Sequence, residues 1–268
     1  MVTTKNSLPL PALGWPGAGV PEWRNLVWSR TRRAAGLLCR GRMRMVLHLS
    51  MATLADVWNF HLWRAADGAA ECPCCGWRGP AFLAAWDWRA ATLQSRCPLC
   101  NSRSRHRGLE PLLGRLLREK PEGPILVLAP ESLTLEQMRR LAPQERVATA
   151  DAAQTEVERL SLADASFSLI VCNHVLPVVR DDVRMVQECA RLLKPGGIAV
   201  FTAPGDFHLE FGWYFPRANG GAGFRRYGMD LMSRLQAGFG RVEAVDLGCA
   251  AEPAWRVRRG DHAFVCVR

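Results

Sequence analysis

"LADASFSLIVCNHVL" (Leu162–Leu176) decides how the second half of this chain folds. Its centre, Phe167 to Cys172, is apolar at both odd and even positions save for Ser168. A run that short, bounded by turn formers before it and by Asn173-His174 after it, reads as a strand covered on both faces. The same unit repeats outward. Downstream, Asp181 to Leu193 has helical spacing and "GIAVFTAP" (197–204) is a further strand. Upstream, "PILVLAP" (124–130) is a strand, Glu131 to Leu141 a helix and "RVATAD" (146–151) a strand. Tyr227 to Ala237 is a helix, and "VEAVDL" (242–247) and "HAFVCV" (262–267) are strands whose Arg-rich connection suits an antiparallel edge. Leu109, Leu112, Leu113, Leu116 and Leu117 line one face of a helix ahead of the first strand. Strands alternating with helices predict an α/β domain with a mostly parallel sheet.

The preceding segment has a different chemistry. "ECPCCGWRGP" (71–80) and "RCPLCNSRSRHRG" (96–108) each contain Cys-Pro-x-Cys. Two thiolates two residues apart grip one ion through a tight turn, and two such turns complete a tetrahedron. Cys72, Cys75, Cys97 and Cys100 are therefore the expected ligands of a structural zinc ion, with Cys74 a bystander. Four thiolates leave no open coordination position for catalysis. Gly76 and Asn101 follow the two knuckles, where left-handed backbone is expected.

The chain has 268 residues and a formal net charge of +10. Residues 1–108 hold 15 Lys/Arg against 5 Asp/Glu, whereas residues 109–268 hold 20 of each, so the whole excess lies in the first part. Such asymmetry points to an anionic partner, with nucleic acid, a membrane surface and a phosphorylated substrate all open, or to a merely solvating surface. Residues 24–44 contain seven arginines and no acid. They suit a membrane-surface or RNA-contacting helix, or a transit-type segment, or they precede a true start at Met43, Met45 or Met51. Arginines 78, 89, 96, 103, 105 and 107 lie among Trp77, Phe82, Trp86 and Trp88, as in nucleic-acid binders. Alternatively the aromatics form the module's own core and "RSRHR" packs on the next domain. No apolar run is long enough to span a bilayer and no secretory h-region follows the first residues, so a reducing, cytoplasmic location is expected.

The frame Leu160 to Ile170, with Asp164, Ser166 and Phe167 in place, together with "LLKPGG" (192–197), resembles class I S-adenosylmethionine-dependent methyltransferases of the type 11 kind. "CNSRSRHR" (100–107) resembles the tail of a ribbon that precedes the domain in one subgroup. The resemblance implies a Rossmann-like doubly wound sheet, S-adenosyl-L-methionine as cofactor, and a site at the carboxyl ends of the strands. It implies that Asp151 grips the ribose, that Glu156 and Val157 meet the adenine, and that Ala129, Pro130 and Glu131 replace the usual glycine loop. It places Asn173 and His174 at the transfer site as further cofactor contacts, with His174 also the candidate catalytic residue. Val127 stands where the family has an acid, Pro177 replaces another, and the chain from Asp151 to Leu160 is short for the usual helix and third strand.

The expected organisation is a basic, partly disordered extension over 1–66, with a short helix at 51–66, and a zinc-ribbon-like module over 67–108. A linker helix over 109–123 and a methyltransferase domain over 124–268 complete it. The expected function is methyl transfer to an unidentified acceptor, a small molecule, glycan or RNA. The loop 205–228, with His208, Tyr214, Arg217, Arg225, Arg226 and Tyr227, is expected to select it. The other reading is a non-catalytic zinc-ribbon nucleic-acid-binding protein with a degenerate Rossmann-like domain. A dinucleotide dehydrogenase is disfavoured, because no G-x-G-x-x-G follows the first strand.

Overall fold

Side chains alternate across a strand, so an all-apolar strand feeds two cores at once. The computed structural model shows both, and it describes residues 23–58, 70–86, 91–119, 123–128, 131–150, 160–215 and 224–268. The chain divides into two compact units, Met1–Arg103 and Ser104–Arg268.

The first unit opens with helices α1 (Trp23–Leu38) and α2 (Met43–Val57). Strands β1 (Ala70–Glu71) and β2 (Arg78–Gly79) form one antiparallel hairpin, and β3 (Leu83–Trp86) and β4 (Ala91–Arg96) another. The helix expected over 51–66 instead begins at Met43, with Leu49, Ala52 and Asp56 burying one face at spacings of three and four; its expected part from residue 59 lies outside the described residues. Asp56 is fully buried; it accepts from Arg30 and from the Ala84 amide, both at 2.7 Å. Arg30 also reaches the Ala84 carbonyl at 3.4 Å. One arginine of the basic segment thus ties α1 to α2 and β3. Trp77 and Phe82, their rings 5.5 Å apart, are core residues here with Ala70, Cys72, Cys74 and Cys97. The self-packing explanation of these two aromatics holds; Trp88 lies outside the described residues.

The second unit is built on a six-stranded sheet. Its strands are β5 (Ile125–Leu128), β6 (Val147–Ala150), β7 (Phe167–Asn173), β8 (Leu193–Thr202), β11 (Arg241–Asp246) and β12 (His262–Val267). The order across the sheet is β11-β12-β8-β7-β5-β6. Strands β6, β5, β7 and β8 run parallel, and β12 is antiparallel to both β8 and β11. The expected antiparallel edge is therefore present, with β12 as the reversed strand. The helices are α3 (Ser104–Glu119), α4 (Ser132–Leu141), α5 (Asp182–Leu192), α6 (Asp230–Gln236) and the single turn α7 (Leu247–Ala250). A short hairpin of β9 (Trp213–Phe215) and β10 (Phe224–Arg226) follows the carboxyl end of β8.

One parity of the strands, including Leu128, Ile170, Cys172, Phe201 and Phe264, packs on α5 and α6. The other, including Ile125, Val127, Val171, Val200 and Val265, packs on Leu109, Leu112, Leu113 and Leu116 of α3 and Met138 of α4. The segment read from sequence as a linker helix is thus the covering helix of one sheet face. Each buried Leu, Ile or Val contributes about 1.5–3 kcal/mol relative to exposure. The fold class is α/β, Rossmann-like and mostly parallel, as expected.

Candidate active site and metal centre

Four sulfurs define the metal centre. The Sγ atoms of Cys72, Cys75, Cys97 and Cys100 all lie within 4.8 Å of one another. Cys72 and Cys100 are 3.7 Å apart, as are Cys75 and Cys97. Tetrahedral thiolates at about 2.3 Å from zinc stand about 3.8 Å apart, so the cluster has the right span. The two knuckles share one backbone design. Amide donors from Gly76 and Asn101 reach the carbonyls of Cys72 and Cys97 at 2.8 and 3.0 Å. Gly76 has φ +73° and Asn101 +60°, the left-handed turns expected at both positions. Hydrogen bonds from Cys100 first, then from its other thiol neighbours, hold Cys72 well below the ordinary thiol range. Cys74 is buried but outside the set of four.

In the second unit the chain leaves β5, visits β6 on one side and returns to β7 on the other. The crevice at such a reversal, outside the carboxyl ends of the strands, is where open α/β sheets hold ligands. Leu128, Ala150, Asn173 and Thr202 end the four parallel strands there. Ala129, Pro130, Asp151, Glu156 and Val157 lie outside the described residues. Glu131, Asn173 and His174 are described, and the structure gives each a definite setting.

Glu131 stands at the N-terminal end of α4 without capping it through its side chain, and its carboxylate is already occupied. Arg105 donates to both of its oxygens at 2.6 Å, and His106 Nε2 stands 2.8 Å from Oε2. Burial works against the charge, but the His106 hydrogen bond and the Arg105 charge outweigh it and hold Glu131 well below the usual carboxylate range. The neighbouring residues of the arginine-rich tail are equally committed. Ser104 donates to Asp261 at 2.5 Å and accepts from the Arg258 amide at 2.8 Å. Arg107 is fully buried and donates to the carbonyls of Trp255 and Arg256 at 2.7 and 3.2 Å. Gln137 of α4 donates to the His106 carbonyl at 2.8 Å and to Glu110 at 2.7 Å. The Ser-Arg-His-Arg signature is therefore a set of pins holding α3 to α4 and to the β11–β12 connection. Packing, not anion binding, occupies Arg105 and Arg107.

Asn173 is buried. Its amide donates to Thr134 of α4 at 2.6 Å, and its carbonyl oxygen accepts from Thr202 of β8 at 2.5 Å. It locks β7 to its neighbours at the rim. His174 is half-buried with φ +59°, and its amide donates to the Thr202 carbonyl at 2.9 Å. A non-glycine residue in left-handed backbone at a sheet rim stores strain of the kind found at working sites. Val127, in the place of the family's acid, is fully buried in β5 between Thr149 and Val171. Pro177 is buried in a 3-10 turn after β7.

Asp164 pairs with Arg191, which also donates to Glu188 at 2.7 Å. Glu188 in turn accepts from the Leu160 amide at 2.7 Å. Asp164, the acid of the Leu160–Ile170 frame, thus fastens the loop that enters β7. Sequence reasoning missed a buried network beyond the rim. The Tyr227 hydroxyl lies 2.9 Å from Asp182 and 3.1 Å from the Leu176 carbonyl, and Arg234 reaches Asp182 at 3.2 Å. Arg225 donates to the carbonyls of Val179 and Arg180, both at 2.7 Å. Gly212 permits the close turn beside them, since a Cβ there would sit 2.1 Å from the Arg226 carbonyl. Arg225 and Tyr227 therefore pin the hairpin to the loop after β7. That leaves Phe211, Trp213, Tyr214 and Phe215 exposed beside it. Arg217 and the glycines at 220, 221 and 223 lie outside the described residues.

Residues 117–201 match a family model described as a methyltransferase domain. The chain is 38% identical over 78 residues to a ubiquinone biosynthesis O-methyltransferase of Paracidovorax citrulli. That match spans 28% of this chain and 31% of the relative, so the chain covers about a third of the curated protein it matches. Among solved structures, a 1,6-didemethyltoxoflavin-N1-methyltransferase of Burkholderia thailandensis, with bound S-adenosylhomocysteine, is 16% identical with TM-score 0.40. It covers 61% of this chain and 76% of its own. The N-methyltransferase NodS of Bradyrhizobium japonicum is 18% identical with TM-score 0.38, covering 61% and 86%. The fold stands on the strand order above, not on these overlays. The resemblance first seen at Leu160–Ile170 and Leu192–Gly197 is borne out by the family match.

Proposed function

We propose that this chain, whose residues 117–201 match a methyltransferase domain, transfers a methyl group from S-adenosylmethionine to a hydroxyl-bearing, largely apolar acceptor. The observation that supports it most is the reversal of strand order between β5 and β7, which opens a crevice inside the matched segment. The described residues around that crevice suit the cofactor: apolar ends of β5 and β6 at Leu128 and Ala150, polar ends of β7 and β8 at Asn173 and Thr202, His174 in left-handed backbone at the rim, and a helix start held by the Glu131 pins. When bound, the cofactor supplies an electrophilic methyl group. Asp151 is the residue we assign to its ribose, Glu156 and Val157 to its adenine, and Ala129, Pro130 and Glu131 to its amino-acid end. Glu131 would act there through its backbone and through α4, because its carboxylate is engaged.

Methyl transfer asks the protein mainly for alignment and exclusion of water. His174 would hold the acceptor hydroxyl and take up its proton, while the bound cofactor would supply the methyl group to that oxygen. The exposed rings of Phe211, Trp213, Tyr214 and Phe215, in and beside β9 after the carboxyl end of β8, support an apolar acceptor. The O-methyltransferase relative supports oxygen as the receiving atom. In the first unit, the four cysteines hold one structural zinc ion, which substitutes for the core that so small a module lacks.

Titration of the purified chain with S-adenosylmethionine tests the reading. We expect saturable binding that Asp151→Asn weakens by tenfold or more, about 1.4 kcal/mol. No binding at millimolar cofactor would leave the zinc-ribbon binding protein as the better account.

A further inference from the structure

We propose that the α1–α2 hairpin of the first unit seats on the surface of an anionic lipid bilayer. Helix α2 is apolar on two sides. Leu49 and Ala52 are buried in the unit. On the opposite side Met43, Leu47, Met51, Leu54 and Trp58 follow one another at spacings of four, four, three and four, which places them on one stripe. They are 66, 58, 52, 69 and 52% exposed. Helix α1 adds Trp28, 64% exposed, with the Arg32 guanidinium 5.9 Å from its ring centre.

The charge pattern selects the occupant. Residues 23–58 carry seven arginines and one acid, and that acid, Asp56, is buried against Arg30. A second copy of the chain would meet the apolar stripe but would bring two arginine sets together, which like-charge repulsion opposes. A nucleic acid would meet the arginines but offers its phosphates no use for methionine and leucine. An anionic bilayer satisfies both, with the stripe in the acyl boundary and the arginines among the headgroups. A 15-residue helix is about 22 Å long, too short to span the hydrocarbon core. Among the described residues no helix is long and apolar enough to cross a membrane. The hairpin therefore lies in the interface plane.

The test is cosedimentation of the full chain with vesicles of phosphatidylcholine, with and without about one third phosphatidylglycerol, across a salt series. We expect binding to the anionic vesicles that weakens between about 0.1 and 0.5 M salt, and at least about tenfold weaker partition for Leu47→Glu/Leu54→Glu. Both positions are exposed; circular dichroism confirms folding, and Leu47→Gln/Leu54→Gln serves as the milder pair. Failure to bind anionic vesicles, or equal binding by folded double variants, overturns the proposal. So does a dimer in sedimentation analysis that the double variant abolishes while vesicles bind nothing. None of these readouts involves methyl transfer, so either reading can fail alone.

Discussion

His106 and Glu131 meet across 25 residues of chain, with Nε2 of one 2.8 Å from a carboxylate oxygen of the other. Their contact joins the start of α3 to the start of α4, and so fixes where α4 begins beside the proposed cofactor site. Because Arg105 and His106 depress the pKa of Glu131, its contribution to stability is present above the unfolded value, about 4.3, and fades as pH falls through the folded one. Glu131→Gln is expected to lower stability by about 1 kcal/mol at pH 7, after allowance for a carboxylate that is partly solvated. The loss should shrink toward pH 3, as thermal unfolding across that range will show.

Arg30 carries a stronger expectation. Burial raises the pKa of Asp56, while the Ala84 amide and Arg30 oppose the rise. Replacing Arg30 by Met leaves a buried carboxylate without its cation, at a cost of about 3–5 kcal/mol near pH 7.5. A raised folded pKa penalises the ionised form, so the deficit should grow as pH rises and narrow near pH 5. Arg30→Met/Asp56→Asn should recover much of the loss. Equal unfolding of single and double variants would refute the pairing.

Metal content checks the cysteine set. The purified chain is expected to hold one zinc ion, Cys97→Ser to lose it and unfold the β1–β4 module, and Cys74→Ser to retain it. Retained stoichiometry in Cys97→Ser would mean another ligand.

Thiol reactivity separates the ten cysteines into classes. Cys39 and Cys249 are exposed and should react first with a thiol reagent. Cys172 is fully buried, and burial pushes its thiol up to about 12; Cys189 and Cys266 are raised by the same cause. These three should label only on unfolding.

His174 divides positioning from proton transfer. Asparagine tolerates left-handed backbone, so His174→Asn should fold like the parent yet lose about 10²–10⁴ in kcat if the imidazole takes a proton. Unchanged cofactor affinity beside that loss is expected. An unchanged kcat would reduce His174 to a rim residue.

The apolar run Phe167–Cys172, the helix spacing after it and the duplicated Cys-Pro-x-Cys were enough to determine the sheet, its covering helices and the four-sulfur centre. Each rests on a period or spacing inside a short window, and local backbone geometry converts that spacing directly into shape. Helix α2 was legible only in part, because its two apolar sides blur the one-sided pattern that marks a surface helix. Residue commitments were not legible. Nothing in the sequence showed that the Glu131 carboxylate is engaged by Arg105 and His106, or that Asn173 bridges Thr134 and Thr202. Arg105 and Arg107 read as possible anion contacts but serve packing. Asp182 and Tyr227 gave no sign of meeting, 45 residues apart. A polar side chain bonds to whatever partner the packed elements bring within 3 Å of it. Only the tertiary structure decides that, because burial without a partner costs more than any local preference can return.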